Sequence, residues 1–274
     1  NNLNLANFGF LIYVFSPRIF GNIFFDNKDI LFLSIITFNF YFFYKYLKNN
    51  CLKNLFFLSI FCALSTSTRI IGLLLPLSFF LTIFLKGMSE NKLIKNLKII
   101  IFFIFFYLIF LFLHWPYLWT LSFEQWTNFF SPFFQAMNPT VFFNGEYYQS
   151  KYLPISYLPL WIILTTPFHI TVLSCIGFFF MTKRFYKRYI RIESNTKKIC
   201  YDLWSSRKEN FDLVIFFNFL LVILLYFSVN LALLSGWRHF YFLNFFLIYF
   251  TCFSVYLILN KLRNSKRKII FLSS

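Results

Sequence analysis

Acidic side chains are scarce in this chain. Its 274 residues hold nine Asp and Glu against 26 Lys and Arg, and the four types together make up 13%, about half the roughly 25% of an ordinary soluble domain. So thin a supply of charge excludes a solvated globular surface. Histidine occurs only at His114, His169 and His239, never at ligand spacing, so no histidine metal site is legible. The five cysteines (Cys51, Cys62, Cys175, Cys200 and Cys252) form no C-x-x-C pair and imply neither a disulfide framework nor a thiolate cluster. There is no internal repeat, which excludes a solenoid, and no inverted pair of broken helices of the kind transporters use. The apolar runs do not alternate with polar residues, which excludes an outer-membrane barrel.

What is present is apolar. Hydrophobic residues make up 59% of the chain, in runs of about 20, the length needed to cross a hydrocarbon core of roughly 30 Å as a helix. The expectation is an all-α polytopic membrane protein with eight spans, near 3–17, 29–47, 55–68, 70–86, 98–114, 156–181, 211–231 and 239–260. These form a single transmembrane domain over 1–274. The run 55–86 is split because one helix of that length would measure about 48 Å, with Arg69 near its middle, where a charge costs about 2.5–3.5 kcal/mol. The 47 Phe residues, with abundant Ile, Asn, Lys and Tyr, follow A/T-rich codons, so Phe positions carry little functional weight here. Arg is correspondingly informative, because 17 Lys outnumber nine Arg and a retained Arg does what Lys cannot.

Charge gives the orientation. The net +17 does not gather into one patch, so it does not point to nucleic acid. With the N-terminus inside, 21 of 26 basic residues fall on one face, as the positive-inside rule expects. Only Arg18, Lys28, Arg69, Lys151 and Arg238 fall on the other. On this topology 182–211 is a basic cytoplasmic loop, with contact to anionic lipid headgroups as its alternative role, and 115–154 is an outer loop lying along the interface. No cysteine falls outside the cytoplasmic or membrane segments. The chain opens at Asn1 on a short apolar run, which gives the expectation of a fragment with sequence lost upstream.

The sparsely charged face carries the candidate chemistry. Its loops read S-P-R-I-F-G-N-I-F-F-D-N-K-D (16–29), S-T-R-I-I-G (67–72), H-W-P-Y-L-W through K-Y-L-P (114–154) and S-G-W-R-H (235–239). Arg supplies three of the five basic residues here, a tilt toward bidentate binding of oxyanions. The candidate site residues are Asp26, Asp29, Arg69, Glu146, Tyr147, Arg238 and His239. Each has a plainer alternative. Asp26 and Asp29 also fit a helix N-cap and first turn, Arg69 and Arg238 could snorkel to headgroups, Glu146 could be a loop acid, and the Trp and Tyr residues suit interfacial anchors. Together they suit an anionic headgroup bearing a sugar: Arg for phosphate, aromatic rings for the sugar face, carboxylates for its hydroxyls.

The series S-P-R-I-F-G-N-I-F-F-D-N-K-D-I, S-T-R-I-I-G-L-L-L-P, W-P-Y-L-W, F-N-G-E-Y-Y, L-P-I-S-Y-L-P-L-W-I-I-L-T-T-P and G-W-R-H-F-Y-F resembles the bacterial protein O-mannosyltransferase-like, or GT-C, glycosyltransferases, the glycosyltransferase family 39 and aminoarabinose-transferase group. The resemblance covers nearly the whole chain. It implies a GT-C-like helical fold in the inner membrane with its active site on the periplasmic or lumenal side. There a sugar moves from a polyprenyl-phosphate carrier to an acceptor hydroxyl on a lipid, glycan or protein. The family's base lies in a first outer loop, so the resemblance places it upstream of this chain. Asp29 then matches the family's second acidic position, orienting the acceptor or a divalent metal ion, the one cofactor left open. Arg238 matches a basic position for the carrier phosphate, with His239 and Arg69 beside it. Two other classes stay open: a transporter or flippase, and a non-catalytic membrane paralogue.

Three expectations concern geometry. Asp29 faces the protein interior at the outer end of the second span. The outer loop folds over that face in short helical pieces, with W-T-L-S-F-E-Q-W-T-N-F-F in the interface plane. In S-G-W-R-H, Gly236 permits a tight turn, Trp237 anchors at headgroup depth, and Arg238 opens the last helix with its guanidinium fork free for phosphate.

Overall fold

The computed structural model describes residues 3–90, 93–122, 125, 139–193, 207–228, 233 and 236–272, with side chains left out at 85–90, 93–95, 188–193, 207–209 and 263–272. Ten α-helices run through these residues: α1 (Leu3–Phe15), α2 (Pro17–Asn22), α3 (Asn27–Asn49), α4 (Leu52–Thr68), α5 (Leu74–Glu90), α6 (Leu93–His114), α7 (Tyr157–Thr165), α8 (Phe168–Glu193), α9 (Arg207–Ser228) and α10 (Leu243–Leu272). Single 3₁₀ turns occupy Ile70–Leu73, Pro116–Trp119 and Arg238–Phe240. The fold is therefore mostly helical, as a chain that must satisfy its backbone within lipid requires.

Four segments are long and apolar enough to cross a membrane: Asn27–Asn49, Asn96–His114, Asn210–Ser228 and Leu243–Leu262. Leu3–Phe15, Leu52–Thr68 and Ile70–Phe84 are apolar but shorter. The run expected as one span over 156–181 is instead two helices, because Pro167 ends the chain of amide donors and holds Thr166 extended, at φ −98° and ψ 136°. The split at Arg69 does occur, with Arg69 itself extended between α4 and the 3₁₀ turn.

Burial separates the inner helices from the outer ones. Half of the most apolar stretch of α3 is buried but only 11% of that of α6; Ile101, Phe105, Leu108 and Phe112 of α6 stand exposed. So large an apolar surface suits contact with lipid. The centre is aromatic: Phe79 stacks on Phe103 at 4.4 Å, and Phe40 on Phe245 at 4.8 Å. Phe therefore fills the core. The α8–α10 crossing depends on Gly177, where a Cβ would lie 2.0 Å from the Phe250 carbonyl oxygen, the kind of close approach that small residues allow between membrane helices. Thr251 Oγ1 reaches the Ile170 carbonyl across the same crossing at 3.3 Å.

Polar side chains gather at the two ends of this bundle. At one, α3 begins, α4 turns back toward α5, and the Arg238–Phe240 turn precedes α10; Asp29, Arg69 and Arg238 meet there. At the other, Asn54 Nδ2 donates to the Lys45 carbonyl at 3.3 Å, and Asp212 of α9 meets Arg184 of α8 and Tyr249 of α10. Between α6 and α7 lies a two-stranded antiparallel hairpin, β1 (Thr140–Phe143) and β2 (Glu146–Gln149). It replaces the helical pieces expected in that part of the outer loop. Of the amphipathic stretch expected in the interface plane, 119–122 and 125 are described, with Trp119 closing a 3₁₀ turn; the rest lies outside the described residues, as does the centre of the basic loop 182–211.

Candidate functional site

The site is assembled from three segments that are remote in sequence. Asp26 caps α3 with φ −124° and ψ 63°, yet its side chain makes no capping hydrogen bond. It pairs with Arg238 instead, Nη2 to Oδ1 at 2.7 Å. Asp29 sits in the first turn of α3 and is only 1% exposed, as expected of an acid facing the interior. One of its oxygens, Oδ2, accepts from Arg238 Nε at 2.8 Å, and the other forms an ion pair with Arg69 Nη2. A carboxylate taken this far out of water is tolerable only because it is paired on both sides. The N-cap and first-turn positions were legible in sequence; what the side chains do there was not.

Arg69 turns inward, its side chain only 14% exposed. The chain reverses immediately after it: Gly72 N donates to the Arg69 carbonyl at 2.8 Å, and a Cβ on Gly72 would lie 2.4 Å from the Ser65 carbonyl group. Only glycine lets the backbone approach so closely, and that approach directs the Arg69 side chain across to α3. There its guanidinium lies 5.9 Å from the Phe32 ring centre and contacts His239 Nδ1 through Nη1 at 3.3 Å. Guanidinium can only donate, so Nδ1 is the acceptor and the neutral ring carries its proton on Nε2. Burial is the main cause that holds the His239 pKa below its ordinary value, followed by the nearby charges of Arg69, Arg238 and Lys28. His239 is thus a neutral donor near pH 7.

Arg238 opens a 3₁₀ turn, and α10 itself starts only at Leu243. The fork expected to be free for phosphate is engaged by Asp26 and Asp29 along its Nε–Nη2 edge. Nη1, with its two N–H donors, makes no acid contact among the described residues, and the side chain remains 42% exposed. The site can therefore present Nη1 of Arg238 and the neutral His239 to an anion while the carboxylates keep the guanidinium in place.

Trp237 corrects the expectation of an anchor at headgroup depth. It is 0% exposed and donates Nε1–H to Thr165 Oγ1 at 2.8 Å. Arg18 was not among the expected site residues, yet its guanidinium lies 4.5 Å from the Trp237 ring centre, a cation–π contact next to the cluster. Its place among the five basic residues of the sparsely charged face was the available signal.

Glu146 and Tyr147 stand apart. They lie just past the hairpin turn, Tyr147 is 78% exposed, and Glu146 Oε2 accepts from Tyr148 OH at 2.5 Å. Among the described residues neither touches Asp26, Asp29, Arg69, Arg238 or His239. The hairpin joins this end of the bundle through Phe143, whose ring meets Tyr157 at 4.9 Å. Its turn was legible and missed: Asn144 (φ 53°) and Gly145 (φ 89°) form the Asn-Gly turn that favours two-residue hairpins. A divalent ion finds a poor site in the cluster, since both Asp29 oxygens face guanidinium groups. Among the described residues no three His, Cys, Asp or Glu side chains converge. No protein-family model, curated protein or solved structure matches this chain.

Proposed function

We propose that this chain belongs to a membrane glycosyltransferase that moves a sugar from a polyprenyl-phosphate carrier to an acceptor hydroxyl. On this reading the chain crosses the bacterial inner membrane eight times, and the cluster opens on the periplasmic side. One observation carries the reading: a buried Asp29 held between Arg69 and Arg238, beside a neutral His239, at the end of the bundle with few lysines. Such a cluster is costly to bury, and within a membrane protein it is the default candidate for a functional site.

The acceptor oxygen attacks the anomeric carbon as the bond from that carbon to the phosphate oxygen breaks. The electron pair leaves on the polyprenyl phosphate, whose growing charge meets Nη1 of Arg238 and Nε2–H of His239. Asp29, with both oxygens engaged, positions these groups and is not the base. On the family resemblance, the acceptor proton goes to a carboxylate base other than Asp29.

The reading is tested by transfer of labelled sugar from synthetic polyprenyl-phosphate donors to membrane acceptors, using the full-length protein. Arg238→Lys keeps the charge and loses the planar donor set, so transfer should fall about a hundredfold, with membrane insertion unchanged. Parental rates in the Lys variant would leave Arg238 a structural ion-pair partner, and no transfer from any polyprenyl donor by the parent would end the glycosyltransferase reading.

A further inference from the structure

A cavity of about 1100 Å³ opens at the end of the bundle opposite the Asp29 cluster, slightly larger than the roughly 300–1,000 Å³ of a small-molecule pocket. Its walls come from α1, α3, α8, α9 and α10, and they include residues of three membrane-crossing segments: Tyr44, Phe211 and Phe253. The cavity therefore borders segments apolar enough to lie in a bilayer, from which a hydrocarbon chain could enter.

Its charge is one-sided. Among the described residues Asp212 is the only acid on the walls, and it is already committed, accepting from Arg184 Nη1 at 3.1 Å and from Tyr249 OH at 2.6 Å. Lys183 and Lys187 also line the cavity, and neither has an acid partner among the described residues. They stand four apart on α8, where like charges face each other at a small cost that a bound anion would relieve. Apolar walls from Leu5, Phe180 and Leu257 complete the lining. Two uncommitted ammonium groups over an apolar cavity at the ends of membrane helices match an anionic headgroup with its acyl chain attached.

We propose that this cavity binds a phospholipid with an anionic phosphate headgroup, seated between Lys183 and Lys187 with its chain against α1 and α10. The site is separate from the Asp29 cluster, so it stands whether or not the protein transfers sugar.

Native mass spectrometry of the full-length protein tests this, with equimolar dioleoyl phosphatidic acid and dioleoyl phosphatidylcholine as competing probes. The parent should retain phosphatidic acid preferentially. Lys183→Gln with Lys187→Gln should reduce that preference about thirtyfold, the loss of two lysine–headgroup attractions. Lys45→Gln, which removes a cation outside the cavity lining, should leave the preference unchanged, and millimolar inorganic phosphate should not displace the lipid. Equal retention of the two lipids by the parent overturns the proposal, as does a double variant that keeps the preference. Displacement by inorganic phosphate would make this a site for the free anion and overturn the lipid.

Discussion

At the residue scale, two acids three positions apart play unequal parts. Asp29 is fully enclosed and has two arginine partners, whereas the side chain of Asp26 is 27% exposed and has one. Removing one partner of a buried ion pair leaves the other charge uncompensated, at about 3–5 kcal/mol, while a part-exposed pair is worth about 1 kcal/mol or less. Asp29→Ala should therefore lower the melting temperature in detergent far more than Asp26→Ala. Equal shifts would mean that Arg69 and Arg238 find other partners. His239 makes the site sensitive to pH. Its pKa is depressed by burial and by neighbouring cations, so its contribution is fully present above the ordinary value near 6.5 and is lost as pH falls below that toward the folded-state value. Thermal stability should drop between pH 7.5 and 5.5, and His239→Asn should flatten that part of the drop. An unchanged profile in the variant would assign the drop to other groups.

At the element scale, the turn between α4 and α5 sets the position of Arg69. A methyl group at Gly72 would collide with the Ser65 backbone, whereas a Cβ at Gly21 meets nothing within 4 Å. Gly72→Ala should cost about 1–3 kcal/mol by forced overpacking and loosen the cluster; Gly21→Ala should be close to neutral. The difference is measurable as paired unfolding midpoints, and similar midpoints would mean that the turn relaxes freely. The same element marks the limit of sequence reading. Length and the charge of Arg69 were enough to break the run 55–86, because a long helix with a mid-membrane charge is costly. The break at Pro167 and the Asn-Gly hairpin carried equally local signals, but hydropathy summed over a long window averages them away.

At the scale of the whole molecule, the two polar ends should face opposite sides of the membrane. Cys51 is exposed at the end that carries Lys45, Lys48 and Lys53, and Lys151 lies in the segment that follows the hairpin. In sealed vesicles, an impermeant thiol reagent should label Cys51 from one side and a cysteine introduced by Lys151→Cys from the other. Labelling of both from one side would undo the alternating path of the chain.

Composition alone determined that this is a helical membrane protein, because apolar runs without alternation can satisfy their backbone in lipid only as helices. Charge counting alone set Arg18, Lys28, Arg69, Lys151 and Arg238 apart as an expectation, since the positive-inside rule needs only the places of basic residues between apolar runs. What only the tertiary structure decided is pairing. Asp29 and Arg238 are 209 residues apart, and no local preference encodes which of several polar loops meet. That depends on close helix crossings such as Gly177 against Phe250 and on the reversal at Gly72, which bring three remote backbones within reach of one carboxylate. The same packing buried Trp237, which its sequence context had put at the interface, because burial is a property of neighbours and not of the residue itself.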